Sequence, residues 1–194
     1  MSINPSFYYW GPFLVKTKLL NEEIKKILSF CKKDKKLDHR HLLAGHINEE
    51  YSLNNNDISS VLLPHIEAYT KARKQIMGVP FEGKIEIESA WVNYMKQGEF
   101  NPPHTHSSDL SCVVYLNIPK DMIKNKENHV ADSSFPGSIT FNYGERLKSN
   151  VYAYDFFPEV GDFFIFPSWL EHYVFPFTSK KERISLSANF KEIT

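Results

Sequence analysis

The apolar residues change their spacing once, near Pro80, and that change limits the folds open to the chain. Before it the period is helical. Leu20, Ile24, Ile27, Leu28 and Cys31 recur every three or four residues, with Asn21 placed as an N-cap and Glu22 and Glu23 in the first turn, where the helix dipole favours them. Ile58, Val61, Leu62, Ile66, Tyr69, Ala72 and Ile76 repeat the pattern, with Asn56 or Asp57 to cap the start and Gly78 and Pro80 to stop it. After Pro80 the period moves toward two: Ile85, Ile87, Trp91 and Val92, then residues 112–118, 138–141, 163–166, 172–177 and 184–190. Pro119, Gly137, Gly144, Gly161 and Pro167 punctuate these short strands. The pattern predicts a mainly β fold with flanking helices, a double-stranded β-helix (jelly roll) packed against two N-terminal helices. Residues 32–56, rich in Lys, His, Asn and Asp, read as a long solvated connection or a lid, and residues 120–137 as a polar loop.

A chain of 194 residues, 42% hydrophobic and 14% aromatic, is long enough for one well-formed core and short for two. One domain is expected over residues 1–194, with 1–80 as a helical support segment and 81–194 as the jelly-roll core. Basic and acidic residues each number 23, so no net charge draws the protein to nucleic acid or an anionic membrane. Cys31, in the helical pattern, and Cys112, in a strand pattern, read as buried free thiols of a reducing compartment, which makes the cytoplasm the expected location. The first 20 residues, with Tyr8, Tyr9, Trp10 and Pro12, lack the basic start and apolar run of a signal peptide. No stretch approaches the roughly 18 apolar residues of a membrane span.

Residues two apart on a strand point to one face, so His104 and His106 in Asn101-Pro102-Pro103-His104-Thr105-His106 can aim two imidazoles at one point. That is half a metal site. His172, on a separate apolar strand, can close it, and Arg183 beyond can hold an anion beside the metal. On that last strand Arg183 and Ser185 alternate with Ile184, Leu186 and Ala188, which places the polar pair on the face opposite the apolar set. Trp91, Trp169, Phe163, Phe164 and Phe166 read as core, because aromatics mainly supply buried area. His39, His41, His46, His65 and His129 have no partner at ligand spacing.

With Gly98 six residues before His104, Asn93-Tyr94 upstream, the strand Leu110 to Asn117, the segment Gly161 to His172, and Arg183-Ile184-Ser185 eleven residues past His172, the chain resembles the Fe(II)/2-oxoglutarate-dependent oxygenases over about residues 85–190. The resemblance is closest to the prolyl-hydroxylase-like branch and to small oxygenases of phage type, which would put a phage-encoded protein in the host cytoplasm. It implies that Fe(II) and 2-oxoglutarate are cofactors, with His104, His106 and His172 as metal ligands. Arg183 and Ser185 would then hold the distal carboxylate, and Tyr115 or Asn93 a further contact. The reaction implied is hydroxylation of a C–H bond with release of succinate and carbon dioxide. Oxygen and 2-oxoglutarate are then the small-molecule partners, and a peptide, prolyl or other, is a candidate substrate. The family pattern has a carboxylate where this chain has His106. Either His106 serves as a third imidazole, or Asp109 reaches in from the next turn, or water takes the place. Two other readings stand beside this one: a cupin-like three-His metalloprotein, and a non-catalytic jelly-roll binding module. Arg183 with Ser185 separates them, because a cupin has no need of that clamp.

Overall fold

The structure is a computed structural model that describes residues 11–193. Tyr8, Tyr9 and Trp10, used above to argue against a signal peptide, lie outside the described residues. In chain order the elements are β1 (Val15–Lys18), α1 (Asn21–Phe30), β2 (Glu50–Ser52), α2 (Asn55–Met77), β3 (Lys84–Met95), β4 (Asn101–His104), β5 (Leu110–Asn117), α3 (Lys120–Glu127), β6 (Ile139–Asn142), β7 (Ala153–Phe156), β8 (Asp162–Pro167), β9 (Glu171–Val174) and β10 (Arg183–Ile193). The strands form two antiparallel sheets. The larger has the order β1-β8-β5-β10-β3-β2, the smaller β4-β9-β6-β7. This is the jelly roll that the period-two segments predict.

Strand alternation divides the large sheet between two cores. Ala90, Cys112, Val114, Leu116, Phe163, Ile165, Leu186, Ala188 and Phe190 join Ile24 and Ile27 of α1 and Ile58, Val61, Leu62, Ile66 and Tyr69 of α2. On the other face Met95, Val113, Tyr115, Phe164 and Phe166 meet Ile139, Phe141 and Val174 of the small sheet. The helices therefore seal the outer face, and the site lies between the sheets.

Several local expectations are corrected. Asn21 is the first residue of α1 rather than its cap. Leu20 holds the cap position, and its N–H donates to Glu23 Oε2 at 2.8 Å. Cys31 lies just past the helix, half-buried; Cys112 is buried, and both thiols are free. The cap of α2 is Asn54, not Asn56 or Asp57, its side chain accepting from the Asn56 N–H at 2.9 Å; Gly78 ends the helix at φ 70° as expected.

Residues 32–56 are not a wholly solvated connection. They carry β2, which pairs with β3, and they bury Ile47, Glu50 and Tyr51. Lys33, one of the charges that made the segment look solvated, bonds Glu49 and Glu182 and lies 4.5 Å from the Tyr94 ring centre. With β1 on the other edge, the first 80 residues supply both border strands of the large sheet as well as helices. Residues 120–137 are not all loop, because α3 forms from a polar sequence whose Met122 enters the inner core and whose Asp121 accepts from Ser179 Oγ at 2.8 Å. Trp169 is not core: it is 53% exposed in the turn between β8 and β9, packed against Tyr143 with ring centres 5.8 Å apart. Among the described residues no helix is long and apolar enough to cross a membrane.

Candidate active site

His104 ends β4 and His172 sits in β9, and the two are direct cross-strand partners. That register brings their ring centres to 4.3 Å. His106 arrives differently. It falls beyond the end of β4, so strand alternation does not place it; its N–H donates to Ser168 O at 2.9 Å, and its ring lies 5.0 Å from that of His104, 5.2 Å from that of His172 and 6.0 Å from that of Trp91. One ligand atom from each of the three lies within 4.8 Å of the others, a spacing one ion can bridge.

Two of the rings are oriented through their backbone. His104 Nδ1 lies 2.8 Å from Pro102 O and His172 Nδ1 3.0 Å from Leu170 O, so each Nδ1 carries the proton and each Nε2 keeps a free lone pair. Burial disfavours protonation of all three. It lowers His104, lowers His106 to about 4 with repulsion from His104 adding to the effect, and lowers His172 to about 3 with help from the same neighbour. The group is therefore three neutral nitrogen donors at ordinary pH, a set that suits a divalent transition metal.

Asp109 is committed elsewhere. Its Oδ2 accepts from the Glu192 N–H at 2.8 Å, its own N–H donates to Phe190 O at 3.1 Å, and it is not part of the three-residue group.

Arg183 opens β10 next to Met95 and is 2% exposed. One terminal nitrogen donates to Gly137 O at 3.0 Å and the other faces Met95 Sδ, while Nε has no partner. The guanidinium lies over the rings of Tyr115 at 5.4 Å and Phe177 at 5.6 Å. Among the described residues no carboxylate pairs with it. A desolvated cation without an anion is costly unless a ligand supplies one. Beside it the Tyr115 hydroxyl is fully buried and unpartnered, with its pKa pushed up by burial to about 12.

The register builds a polar row across the inner face of the sheet. Glu50 opposes Asn93, Asn93 opposes Ser185, and Ser185 opposes Tyr115. Asn93 Nδ2 bonds Ser185 Oγ at 3.4 Å and Ser187 Oγ at 3.3 Å, and Asn93 Oδ1 is left buried without a donor. These residues, the three histidines and Arg183 all line one cavity of about 160 Å³, walled by Val113, Ile139, Phe166 and Val174, with residues 42–45 and Ile47 also in its lining. All seven site positions expected from the sequence meet here.

Glu50 is the buried charged residue of the cavity that sequence reasoning missed; Trp91, expected as core, and the polar Asn101 and Ser187 line the cavity as well. The segment of Glu50 read as loop, and only the pairing of β2 turns it inward. Burial raises its carboxyl to about 7, with repulsion from Glu99 adding and Arg40 partly offsetting. The folded pKa exceeds the usual value, so the protonated form suits the fold, and stability is lost as pH rises from about 4.5 through about 7. The Glu50→Gln variant should match the wild type in folding stability near pH 4 and exceed it above pH 7, by up to roughly 3 kcal/mol. Thermal melts across that range check it; parallel curves for the two proteins would contradict it.

A family profile described as "Putative 2OG-Fe(II) oxygenase" matches residues 89–189, just over half of the 194 residues. The chain belongs to this 2OG-Fe(II) oxygenase family, whose cofactors are Fe(II) and 2-oxoglutarate. Solved structures share the fold. A Pseudomonas putida prolyl-4-hydroxylase superposes with TM-score 0.59 at 15% identity, covering 94% of this chain and 94% of that one. A viral collagen prolyl hydroxylase from Paramecium Bursaria Chlorella virus-1, in complex with 2OG, gives 0.60 at 15% identity, with 93% and 97% covered. HygX from Streptomyces hygroscopicus, with nickel, 2-oxoglutarate and hygromycin B bound, gives 0.61 at 10% identity, with 93% and 83% covered. At these identities the likeness is one of fold. No curated protein matches the sequence.

Proposed function

We propose that the protein is an Fe(II)- and 2-oxoglutarate-dependent hydroxylase whose metal is held by His104, His106 and His172, with residues 81–194 as the catalytic core. The observation that carries this reading is the pairing, in one cavity, of three neutral imidazoles with a buried guanidinium that no carboxylate among the described residues pairs with. The residues fit both groups: nitrogen donors for a divalent metal, and Arg183 for a dianion. A cupin-like site has no use for an uncompensated Arg183, and a binding module without metal chemistry has none for three converging neutral imidazoles.

The bound metal would supply oxygen activation, and the net change is C–H plus O2 plus 2-oxoglutarate to C–OH plus succinate plus carbon dioxide. The chain's own part is placement. The carbonyls of Pro102 and Leu170 fix the tautomers of His104 and His172. Arg183 takes the distal carboxylate by charge-assisted bonds, with the Tyr115 hydroxyl beside it and Ser185 and Asn93 along the same row. Val113, Ile139 and Phe166 keep water out, which strengthens each of these interactions. The prolyl hydroxylases among the similar folds favour a peptide substrate, and the free thiols of Cys31 and Cys112 favour the cytoplasm.

Purified protein with Fe(II), ascorbate and air should convert 2-oxoglutarate to succinate, even without a primary substrate, at a slow uncoupled rate. An absence of succinate under every metal condition would contradict the reading. The third ligand has its own test. His106→Ala should weaken metal binding by more than ~100-fold, whereas Asp109→Ala should leave it within ~2-fold and cost only about 1 kcal/mol through the lost bond to Glu192. Metal titrations of the two variants decide; a metal defect confined to Asp109→Ala would overturn the three-His assignment.

A further inference from the structure

The polar row has two unlike ends. At Tyr115 stands Arg183, a cation. At the other end stand two buried oxygens that no donor faces: Oε2 of Glu50, 1% exposed, and Oδ1 of Asn93, 5% exposed. Glu99 is buried nearby, but its oxygens are taken by the Asn48 N–H and side-chain amide and by the Lys96 N–H. It adds negative potential without offering a free acceptor. Arg40, the cation whose field reaches Glu50, is exposed and held by Asp38. The cavity is therefore polarised: a dicarboxylate entering it is drawn to Arg183, while a cation beside Glu50 would favour the ionised form of that carboxyl, which burial alone raises to about 7.

We propose that Glu50 and Asn93 Oδ1 form a subsite for a positively charged nitrogen of the primary substrate, an ammonium or guanidinium group of the kind that a lysine or arginine side chain presents. The inference rests on the oxygenase reading and extends it to the substrate. Two buried acceptors on adjacent strands, with no donor of their own, match a group that carries several N–H donors and a charge. Gly45 borders the same subsite: a Cβ there would meet the side-chain oxygen of Asn101 and come 3.2 Å from Glu50 Oε1, so a glycine at this position leaves room beside the carboxyl.

The test uses the intact protein, loaded anaerobically with Fe(II) and 2-oxoglutarate, and also the metal-free protein. Short peptides identical but for a central Lys, Arg, norleucine or Glu are titrated by fluorescence, alongside free lysine and arginine. The Lys or Arg peptide, or the free amino acid, should bind at least ~10-fold more tightly than the norleucine peptide, and Glu50→Gln should erase that preference. Glutamine is isosteric with the protonated carboxyl that the fold favours, so the fold should stay intact, and a thermal melt of the variant checks this. No preference for a cation in the wild type, or a preference that survives Glu50→Gln, overturns the proposal. Formation of the visible band of the metal and oxo-acid complex is followed in the same samples. A missing band beside a Glu50-dependent preference would sink the oxygenase reading and leave this subsite standing, while an intact band without the preference would do the reverse.

Discussion

His172→Ala abolishes the thermal stabilisation that a divalent metal gives the wild-type protein. A ligand at a hundred times its Kd adds about 2.7 kcal/mol to folding stability, which for a chain of this size raises Tm by roughly 5–10 °C. The proposed site gives the metal three protein ligands to lose. Of these His172 is the most enclosed, at 6% exposure, with its ring 4.7 Å from that of Phe166 and 6.0 Å from that of Phe141. Those walls keep water from taking the vacated position in a favourable geometry. The affinity loss should exceed ~100-fold, the upper end of what removing even an outer-shell partner costs. Metal-free His172→Ala loses the packing of one ring, so the comparison is between metal-free and metal-loaded melts of each protein. An unchanged metal-induced shift in His172→Ala would place the ion elsewhere.

Arg183→Met produces opposite changes in stability and in co-substrate binding. Methionine keeps most of the volume and removes a charge that is 2% exposed and has no acidic partner among the described residues. Replacing buried charges by apolar side chains of similar size is often stabilising, by about 1–4 kcal/mol. The ligand-free variant should therefore melt at or above the wild-type temperature. Binding of 2-oxoglutarate should fall, because a buried carboxylate that loses its charged partner forfeits roughly 2–5 kcal/mol, or about 30- to several-thousand-fold in Kd. A structural arginine would show the reverse: a lower Tm and an unmoved Kd. Isothermal titration with a redox-inert divalent metal in the site, together with melts, separates the two.

The sequence and the structure agree where one local period decides the outcome. Leu186, Ala188 and Ile184 turn to the helices while Arg183 and Ser185 turn to the cavity, as alternation requires. His104 and His172 were identifiable from spacing and resemblance, but their pairing rests on the β4–β9 register, which no local pattern encodes. His106 lies where expected for a different reason from the one the spacing suggested: a backbone bond to Ser168, not strand alternation. The misread segments share a cause. β2 has three residues amid charged neighbours, and α3 carries a single buried residue, Met122, so neither shows a hydrophobic period; both are held by contacts with distant parts of the chain. Glu50 was hidden by the same effect, because its inward direction comes from pairing with Asn93. Trp169 shows the converse, an aromatic kept at the surface by its place in a turn.

Whether three imidazoles and one guanidinium share a metal and a dicarboxylate is decided by a single anaerobic titration. Fe(II) added to the wild-type protein with 2-oxoglutarate should produce a weak visible charge-transfer band that saturates at one equivalent of metal, fails to form in His172→Ala and requires far more 2-oxoglutarate in Arg183→Met. A wild-type protein that binds Fe(II) tightly yet yields no such band at any concentration of 2-oxoglutarate would contradict the account.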